Sequence, residues 1–329
     1  MATPNTEQQP HGSANPLHNL SFFKLLSYRM LMMLSYQTMA VVVGWHLYQI
    51  THDTLSLGLI GLAEIIPYFC AALFAGYIVD HYSRRNFAIG SALILASSSL
   101  LLATVAQGLL SNFSEFWIYF GIALVGLARA FIAPSYSAIF AMIMARNQYA
   151  KGAGFGASIF QIGLVLGPAL GGILVGWTDI ATAYLTSAGL ALLAGIALLS
   201  LKISTPKTKG DFAVVSSIAE GTRFVINHQI ILSAQALDMF AVLFGGAVAM
   251  LPAFIHDIYH YGPEGLGILR ASPAVGAMMT GIYLARHPIY MNAGKCLLFA
   301  VAGHRAVVVA SAPTADPVRD LVLHPPDRL

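Results

Sequence analysis

Four ionisable residues fall inside long apolar stretches of the sequence, where little water would be present to stabilise a charge. They are Glu64, Arg129, Asp238 and Arg270. In a membrane helix each would cost about 2.5–3.5 kcal/mol on insertion scales, so each is expected to face a protein interior or a wet cavity. A carboxyl group beside a guanidinium in such a place can take up or release a proton as its surroundings change. The pattern predicts a proton or ion pathway; the alternative is structural, with Arg129 bonded to backbone carbonyls and the acids in satisfied pairs.

Apolar runs long enough to cross a bilayer must position these residues. A spanning helix needs about 20 apolar residues. Eight runs have this length, at roughly 28–50, 57–79, 87–107, 114–137, 155–176, 181–201, 230–255 and 265–285. Each of the four ionisable residues falls in a different run. The sequence therefore predicts an all-α polytopic membrane protein.

The composition supports this class and argues against others. Of the 329 residues, 57% are hydrophobic and 9% are charged, against about 25% charged in soluble domains. No Lys/Arg cluster of the size needed for nucleic-acid binding is present, and Cys70 and Cys296 both lie in apolar runs, so no disulfide framework is expected. His256 and His260 have a spacing that suits zinc. No third ligand and no nucleophile–base set accompanies them, so we predict no metal site, no cofactor and no enzymatic activity.

Basic residues alternate from loop to loop. Lysine and arginine occur before the first run, at Lys24 and Arg29, and then in every second loop, whereas the intervening loops contain none. The positive-inside rule therefore places the amino terminus in the cytoplasm. Trp45, Trp117 and Trp177 fall at the opposite helix ends, as an aromatic belt requires.

The fifth run carries regularly spaced glycines and a proline. Gly163, Gly167 and Gly171 fall four residues apart, so they share one helical face. That bare face allows another helix to approach closely. Pro168 removes a backbone donor and is expected to bend the helix. Such a helix suits two bundles that rock against each other, and it equally suits ordinary tight packing.

A polar turn between the second and third runs combines a small residue, a carboxylate and a basic pair. These are Gly76, Asp80, Arg84 and Arg85. Guanidinium groups on a short turn can fix a helix end to neighbouring helices through charge-assisted hydrogen bonds that break when bundles move. The alternative is that the basic pair only holds this loop at the inner surface.

These motifs resemble those of a known transporter family. The turn is similar to the signature loop G-x-x-x-D-R-x-G-R-R of the major facilitator superfamily, with His81 and Ser83 in place of the usual Arg and Gly. The fifth run is similar to that superfamily's antiporter motif, G-x-x-x-G-P-x-x-G-G, which adds Gly172 to the pattern. Two further sequence segments, at 43–49 and 251–267, resemble those of the subgroup that contains the enterobactin exporter.

The resemblance covers about residues 17–303 and implies a proton-linked exporter with two six-helix bundles that works by alternating access. In that family the first, fourth and seventh helices line the cavity. The resemblance therefore implies Asp238 as the proton-titrating or cation-binding group, with Arg129 tuning it, and Glu64 with Arg270 as a gate pair. It also implies a bacterial cytoplasmic membrane location and a small amphipathic substrate, such as a siderophore or a drug, exchanged for protons.

The order of these features predicts five segments. They are a disordered cytoplasmic amino terminus (1–19), a six-helix bundle (20–201), a cytoplasmic linker with an amphipathic helix (202–228), a truncated second bundle of two to three helices (229–303) and an aberrant, disordered tail (304–329). The tail is rich in proline and charge, which predicts a reading-frame change near Gly303; a disordered tail on a naturally short protein is the alternative. A shortened second bundle leaves open a non-transporting remnant or accessory subunit, or self-association of a functional short chain.

Overall fold

A computed structural model of the chain describes residues 20–110, 113–201, 223–229, 232–233, 236, 251–253, 255–256 and 261–286, without the side chains of 150 and 281–286. Several predictions concern other residues. The segments 1–19 and 304–329, Asp238, and most of the linker 202–228 and of the seventh run lie outside the described residues.

Every regular element in the described ranges is helical, which confirms the predicted fold class. The long helices are α1 (Leu20–Thr51), α2 (Thr54–His81), α3 (Arg84–Ala106), α4 (Ser114–Ile143), α5 (Tyr149–Trp177), α6 (Ile180–Leu199) and α7 (Pro263–Arg286). A 3-10 turn at Arg146–Gln148 precedes α5, and a helical turn covers Leu251–Ala253. Six helices, α1 to α6, are long and apolar enough to cross a membrane. The chain is thus a multi-pass membrane protein.

The start of α1 differs from the sequence prediction. The helix begins at Leu20, not near residue 28, because Phe22, Leu25 and Leu26 have helical spacing and are buried. Arg29 therefore lies in the third turn of the helix and not before it. This placement brings a guanidinium into the bundle that the loop pattern had assigned to the inner surface.

Aspartate side chains begin two of the helices. Asp53 accepts hydrogen bonds from the backbone N–H groups of Leu55 (3.0 Å) and Ser56 (3.2 Å) at the start of α2. Asp179 accepts one from the N–H of Thr182 at the start of α6. These bonds satisfy donors that a helix start leaves unpaired. Because they favour the charged carboxylate, they hold the pKa of Asp53 and of Asp179 below its usual range.

The spanning helices pack around an apolar core. Helix α2 lies on α4, α3 contacts α4 and α6, and α1 contacts α5 and α6. The fully buried side chains of the core include Phe22, Leu25, Tyr28, Met32, Leu95, Leu102, Ile118, Ile139 and Leu198. Large apolar side chains also lie exposed along outer faces, among them Leu55, Leu62, Phe69, Leu100 and Leu193. Such faces suit contact with lipid, which is as apolar as leucine.

A network of buried serine hydroxyls joins three helices. Ser35 of α1 donates to the carbonyl of Ser187 on α6 (2.8 Å), and Ser187 donates to the carbonyl of Ser35 (3.0 Å). Ser99 of α3 lies 3.1 Å from the Ser187 hydroxyl, Oγ to Oγ. In lipid, hydroxyl bonds between helices average about 0.6 kcal/mol each. The network therefore fixes the register of α1, α3 and α6.

The glycine face of α5 packs against α1. A side chain at Gly163 would begin 2.6 Å from Cγ of Met33, and one at Gly171 would begin 2.8 Å from the carbonyl oxygen of Thr38. A Cβ at Gly167 would overlap the side chain of Gln37. The hydroxyl of Thr38 donates to the carbonyl of Gly167 (3.1 Å). The bare face therefore meets a helix of the same bundle, where it allows close backbone approach.

The close contact of α5 with α1 predicts that a side chain at Gly171 lowers the stability of the fold. Gly171→Ala places a methyl group against the backbone of Thr38, which cannot shift without moving α1, so we expect a loss of about 1–3 kcal/mol. The matched control is Gly154→Ala on the same helix, where a Cβ meets nothing within 4 Å. Thermal unfolding of the purified proteins in detergent should give a lower Tm for G171A and an unchanged or higher one for G154A. Equal Tm values for the two variants would contradict the packing argument.

Candidate functional site

Glu64 and Arg129, two of the ionisable residues predicted to matter, form an ion pair between α2 and α4. Arg129 Nη1 lies 2.5 Å from Glu64 Oε1. The Tyr36 hydroxyl of α1 donates to the same oxygen (3.0 Å). The Arg129 guanidinium also lies over the rings of Tyr36 and Tyr68, 4.7 and 5.4 Å from their centroids. One carboxylate thus holds a cation and a phenol from two other helices.

A glycine lets α2 and α4 come close enough for this pair. Gly126 precedes Arg129 by about one turn, and a Cβ there would overlap the backbone carbonyl of Glu64. The two helices therefore cross with almost no side chain between them. The sequence contains this signal, a glycine one turn from an arginine in an apolar run, but it does not indicate which helix is the partner.

Arg270 and Gln161 donate hydrogen bonds to backbone carbonyls of other helices. Arg270 of α7 donates from Nη1 to the carbonyl of Ala40 on α1 (2.8 Å). Gln161 of α5 donates to the carbonyl of Ala274 on α7 (2.7 Å). Among the described residues, Glu64 has its ion pair with Arg129. Arg270 also lies near enough to Glu64 for an electrostatic interaction, so the predicted gate pair of Glu64 with Arg270 stays a prediction. Asp238 lies outside the described residues.

The other half of the antiporter motif faces α7. A side chain at Gly172 would begin 2.7 Å from the carbonyl oxygen of Pro263 and 2.9 Å from Cα of Gly267. A side chain at Gly267 would begin 2.7 Å from the carbonyl oxygen of Pro168. Helices α5 and α7 thus meet backbone to backbone. Gly171 and Gly172 are adjacent in sequence, yet one faces α1 and the other faces α7.

The basic pair of the signature-like turn bonds to two neighbouring helix ends. Arg84 donates to the carbonyl of Ala138 on α4 (3.4 Å), and Arg85 donates to the carbonyl of Leu201 just after α6 (2.9 Å). Asp80 lies 3.7 Å from Arg84, with 66% of its side chain exposed. A Cβ at Gly76 would meet nothing within 4 Å. The turn therefore ties α3 to α4 and to the end of α6.

A cavity of about 260 Å³ lies beside the Glu64–Arg129 pair. It is bounded by residues of α1, α2, α4 and α5, including Arg29, Tyr36, Tyr68, Arg129, Tyr136 and Phe160. The Arg29 guanidinium lies 4.1 Å from the ring centroid of Tyr136 and 5.2 Å from that of Phe160. From the sequence Arg29 was assigned to the pattern of basic loop residues, and Tyr136 was not singled out.

The six spans and the arginine-lined cavity define a class, that of polytopic helical-bundle membrane proteins with room for a small molecule between their helices. The sequence matches the Major Facilitator Superfamily over residues 25–322, and the chain belongs to that family. The predicted resemblance is thus confirmed at the level of the superfamily. The match continues beyond residue 303, where the sequence predicted that the family pattern stops.

Similar proteins agree with this membership. Macrolide efflux protein A of Streptococcus pyogenes is 21% identical over 292 residues, which is 86% of this chain and 70% of that protein. The multidrug efflux pump Tap of Mycobacterium bovis is 25% identical over 288 residues, 83% of this chain and 67% of the pump. The crystal structure of a bacterial homologue of the human lysosomal transporter Spinster, inward-facing and unoccupied, has a TM-score of 0.59 at 14% identity. It covers 84% of this chain, which spans 64% of that transporter's length, and the likeness is one of fold.

The ion pair predicts a non-additive effect of substitution. Glu64→Gln leaves Arg129 without its counter-charge, so we expect a loss of about 1–3 kcal/mol of stability. Adding Arg129→Gln removes the unpaired charge, and the double variant should recover most of that loss. Glu115→Gln, an exposed carboxylate on α4, is the control. Thermal unfolding of both single variants, E64Q and R129Q, of the double variant and of the control in detergent measures the coupling. Strictly additive losses would show that the two side chains do not stabilise each other.

Proposed function

We propose that the chain is a secondary active transporter that exports a small amphipathic molecule, siderophore or drug-like, in exchange for protons. The observation that carries the proposal is the cavity within the span of the helices, whose wall includes Arg129, the ion-pair partner of Glu64. A membrane protein that needed only to fold would lose nothing by an apolar interior, because buried ion pairs cost desolvation energy. The relatives named as macrolide and multidrug efflux proteins support export of drug-like compounds.

Alternating access would use the contact of α5 with α7. Helix α5 presents Gly171 to α1 and Gly172 to α7. It can therefore stay packed on α1 while α7 separates from Gly172. Gln161 of α5 donates to a carbonyl of α7, and Arg270 of α7 donates to a carbonyl of α1; water can replace such bonds when α7 moves away. The basic turn at Arg84 and Arg85 would keep α3, α4 and α6 moving together.

Proton coupling is assigned to the acids at membrane depth. Asp238 is the proposed titrating group, with Arg129 and its partner Glu64 setting the local charge. Protonation of an acid that faces an arginine leaves a positive charge without its counter-charge, which favours a different arrangement of the helices. The protein would act in the bacterial cytoplasmic membrane with its amino terminus in the cytoplasm, without an enzymatic activity.

A second reading is a non-transporting remnant or accessory subunit. It is favoured by the predicted shortening of the second bundle, and self-association would be one way for a short chain to supply the missing surface. The two readings differ in a measurable property, which is solute movement by the chain expressed alone.

The α5–α7 contact predicts a transport phenotype. Gly172→Leu inserts a side chain where the backbones of α5 and α7 touch, and an overpacking cost of about 1–3 kcal/mol on that arrangement corresponds to about a 5–150-fold shift between states. Efflux should fall by a comparable factor, while packing of α5 on α1 keeps the fold intact. Gly154→Leu is the matched control. The contact has no role in transport if G172L folds and pumps like G154L.

The proposed coupling is tested by efflux from cells or proteoliposomes that carry a pH gradient, with a macrolide and a fluorescent dye as substrates. The chain should export at least one of them only when the gradient is present, and Asp238→Asn should abolish the gradient dependence. Glu115→Gln should pump normally. No export above empty vesicles would favour the remnant, whereas full proton-driven export by D238N would remove Asp238 from the mechanism.

A further inference from the structure

The cavity holds an arginine whose charge is not matched by an acid. Among the described residues the ion pairs are Arg84 with Asp80 and Arg129 with Glu64. Arg29 instead lies against the faces of Tyr136 and Phe160. Within the described residues, neither its buried Nε nor the buried hydroxyl of Tyr136 has a hydrogen-bond partner. A buried donor without a partner costs about 1–3 kcal/mol, so two of them beside one cavity mark a place for an acceptor.

The backbone of α5 leaves room for both donors. A Cβ at Gly156 would begin 2.5 Å from the Tyr136 hydroxyl oxygen and 3.7 Å from Nη1 of Arg29. Any side chain there would push these groups apart. The glycine therefore permits the guanidinium and the phenol to lie side by side at the wall of the cavity.

The rest of the cavity wall consists of aromatic rings and flexible methionine side chains. Tyr28, Tyr36 and Tyr68 contribute rings, and Met32 and Met33 contribute flexible thioether side chains. Aromatic rings stack on a flat apolar molecule, and methionines adapt to its outline. A volume of about 260 Å³ suits a compact ring system near the lower limit of small-molecule pockets.

A cationic group finds little to bind in this cavity. Aromatic faces attract cations, but those of Tyr136 and Phe160 lie against Arg29, and those of Tyr36 and Tyr68 lie against Arg129. The carboxylate of Glu64 already accepts from Arg129 and Tyr36. An anion meets the opposite situation, because a guanidinium binds a carboxylate through a planar pair of donors.

We propose that Arg29 and Tyr136 form a subsite for the negatively charged group of an aromatic substrate, a carboxylate or a similar oxyanion. The inference rests on the proposed transport function, since it names the class of molecule that this cavity would carry. The ring of the substrate lies against the tyrosines and methionines, and its anionic group accepts from the Arg29 guanidinium and the Tyr136 hydroxyl.

Binding to the purified full chain in neutral detergent tests the proposal, with titration calorimetry as the readout. Three molecules share one ring system: 1-naphthoate, neutral 1-naphthamide and cationic 1-naphthylmethylammonium. Naphthoate should bind roughly tenfold or more tightly than the other two, since charge-assisted hydrogen bonds are about twice as strong as neutral ones. Equal or weaker binding of naphthoate in the unmodified protein overturns the proposal without any variant.

Substitutions then locate the charge. Arg29→Gln should remove the preference for naphthoate while naphthamide binding remains, Arg29→Lys should restore part of it, and Tyr136→Phe should weaken it. Lys151→Gln, which removes an exposed charge at the start of α5, should change nothing. A naphthoate preference that survives in R29Q overturns the assignment of Arg29.

The outcome is separable from that of the transport proposal. Naphthoate binding by a chain that exports nothing would keep the subsite and overturn transport. Export of a neutral or cationic dye by a chain without naphthoate preference would keep transport and overturn the subsite.

Discussion

A charge inside a membrane protein must be paired or hydrogen-bonded by the protein itself. The contacts of Glu64 and Arg129 in the described part of this chain meet that requirement. Glu64 satisfies Arg129 and Tyr36 together, so helices α1, α2 and α4 converge on one carboxylate. The convergence sets where the cavity forms, because the tyrosines that surround Arg129 also supply the cavity wall. Arg85 and Arg270 donate to the carbonyls of neighbouring helices, and Arg84 does so in addition to its ion pair with Asp80. The ion pair that joins three helices therefore also places a charged group at the wall of the cavity.

Glycine decides which helices can meet. Gly126 brings α4 to the carbonyl of Glu64, Gly171 brings α5 to Thr38, and Gly172 brings α5 to Gly267. In lipid there is no hydrophobic force between helices, so close van der Waals contact and short polar bonds must hold them. Glycine at a few positions allows close van der Waals contact between helices. It also brings backbone carbonyls within reach of hydroxyl and guanidinium donors.

Much of the fold could be predicted from the sequence, because apolar runs of spanning length leave the backbone no alternative to helix in lipid. The tight packing of the glycine face also followed from the spacing of Gly163, Gly167 and Gly171. The contact partner of each ionisable side chain could not be predicted from the sequence. Whether Glu64 meets Arg129 or Arg270 depends on helix rotation and crossing, which single-sequence periodicity does not contain. Arg29 was assigned to the inner surface because it lies at the start of the first apolar run, whereas α1 begins at Leu20 and places Arg29 in its third turn.

The serine network described above bears on how the bundle would respond to bilayers of different thickness. Hydroxyl bonds between Ser35, Ser99 and Ser187 are directional, and a sliding of α1, α3 or α6 by a single residue would break them. Mismatch between hydrophobic length and lipid is usually accommodated by tilting or by local deformation of the membrane. With these three helices pinned in register, the bundle has to tilt as one body, and thinner or thicker lipid would act on its orientation before it acts on its internal packing.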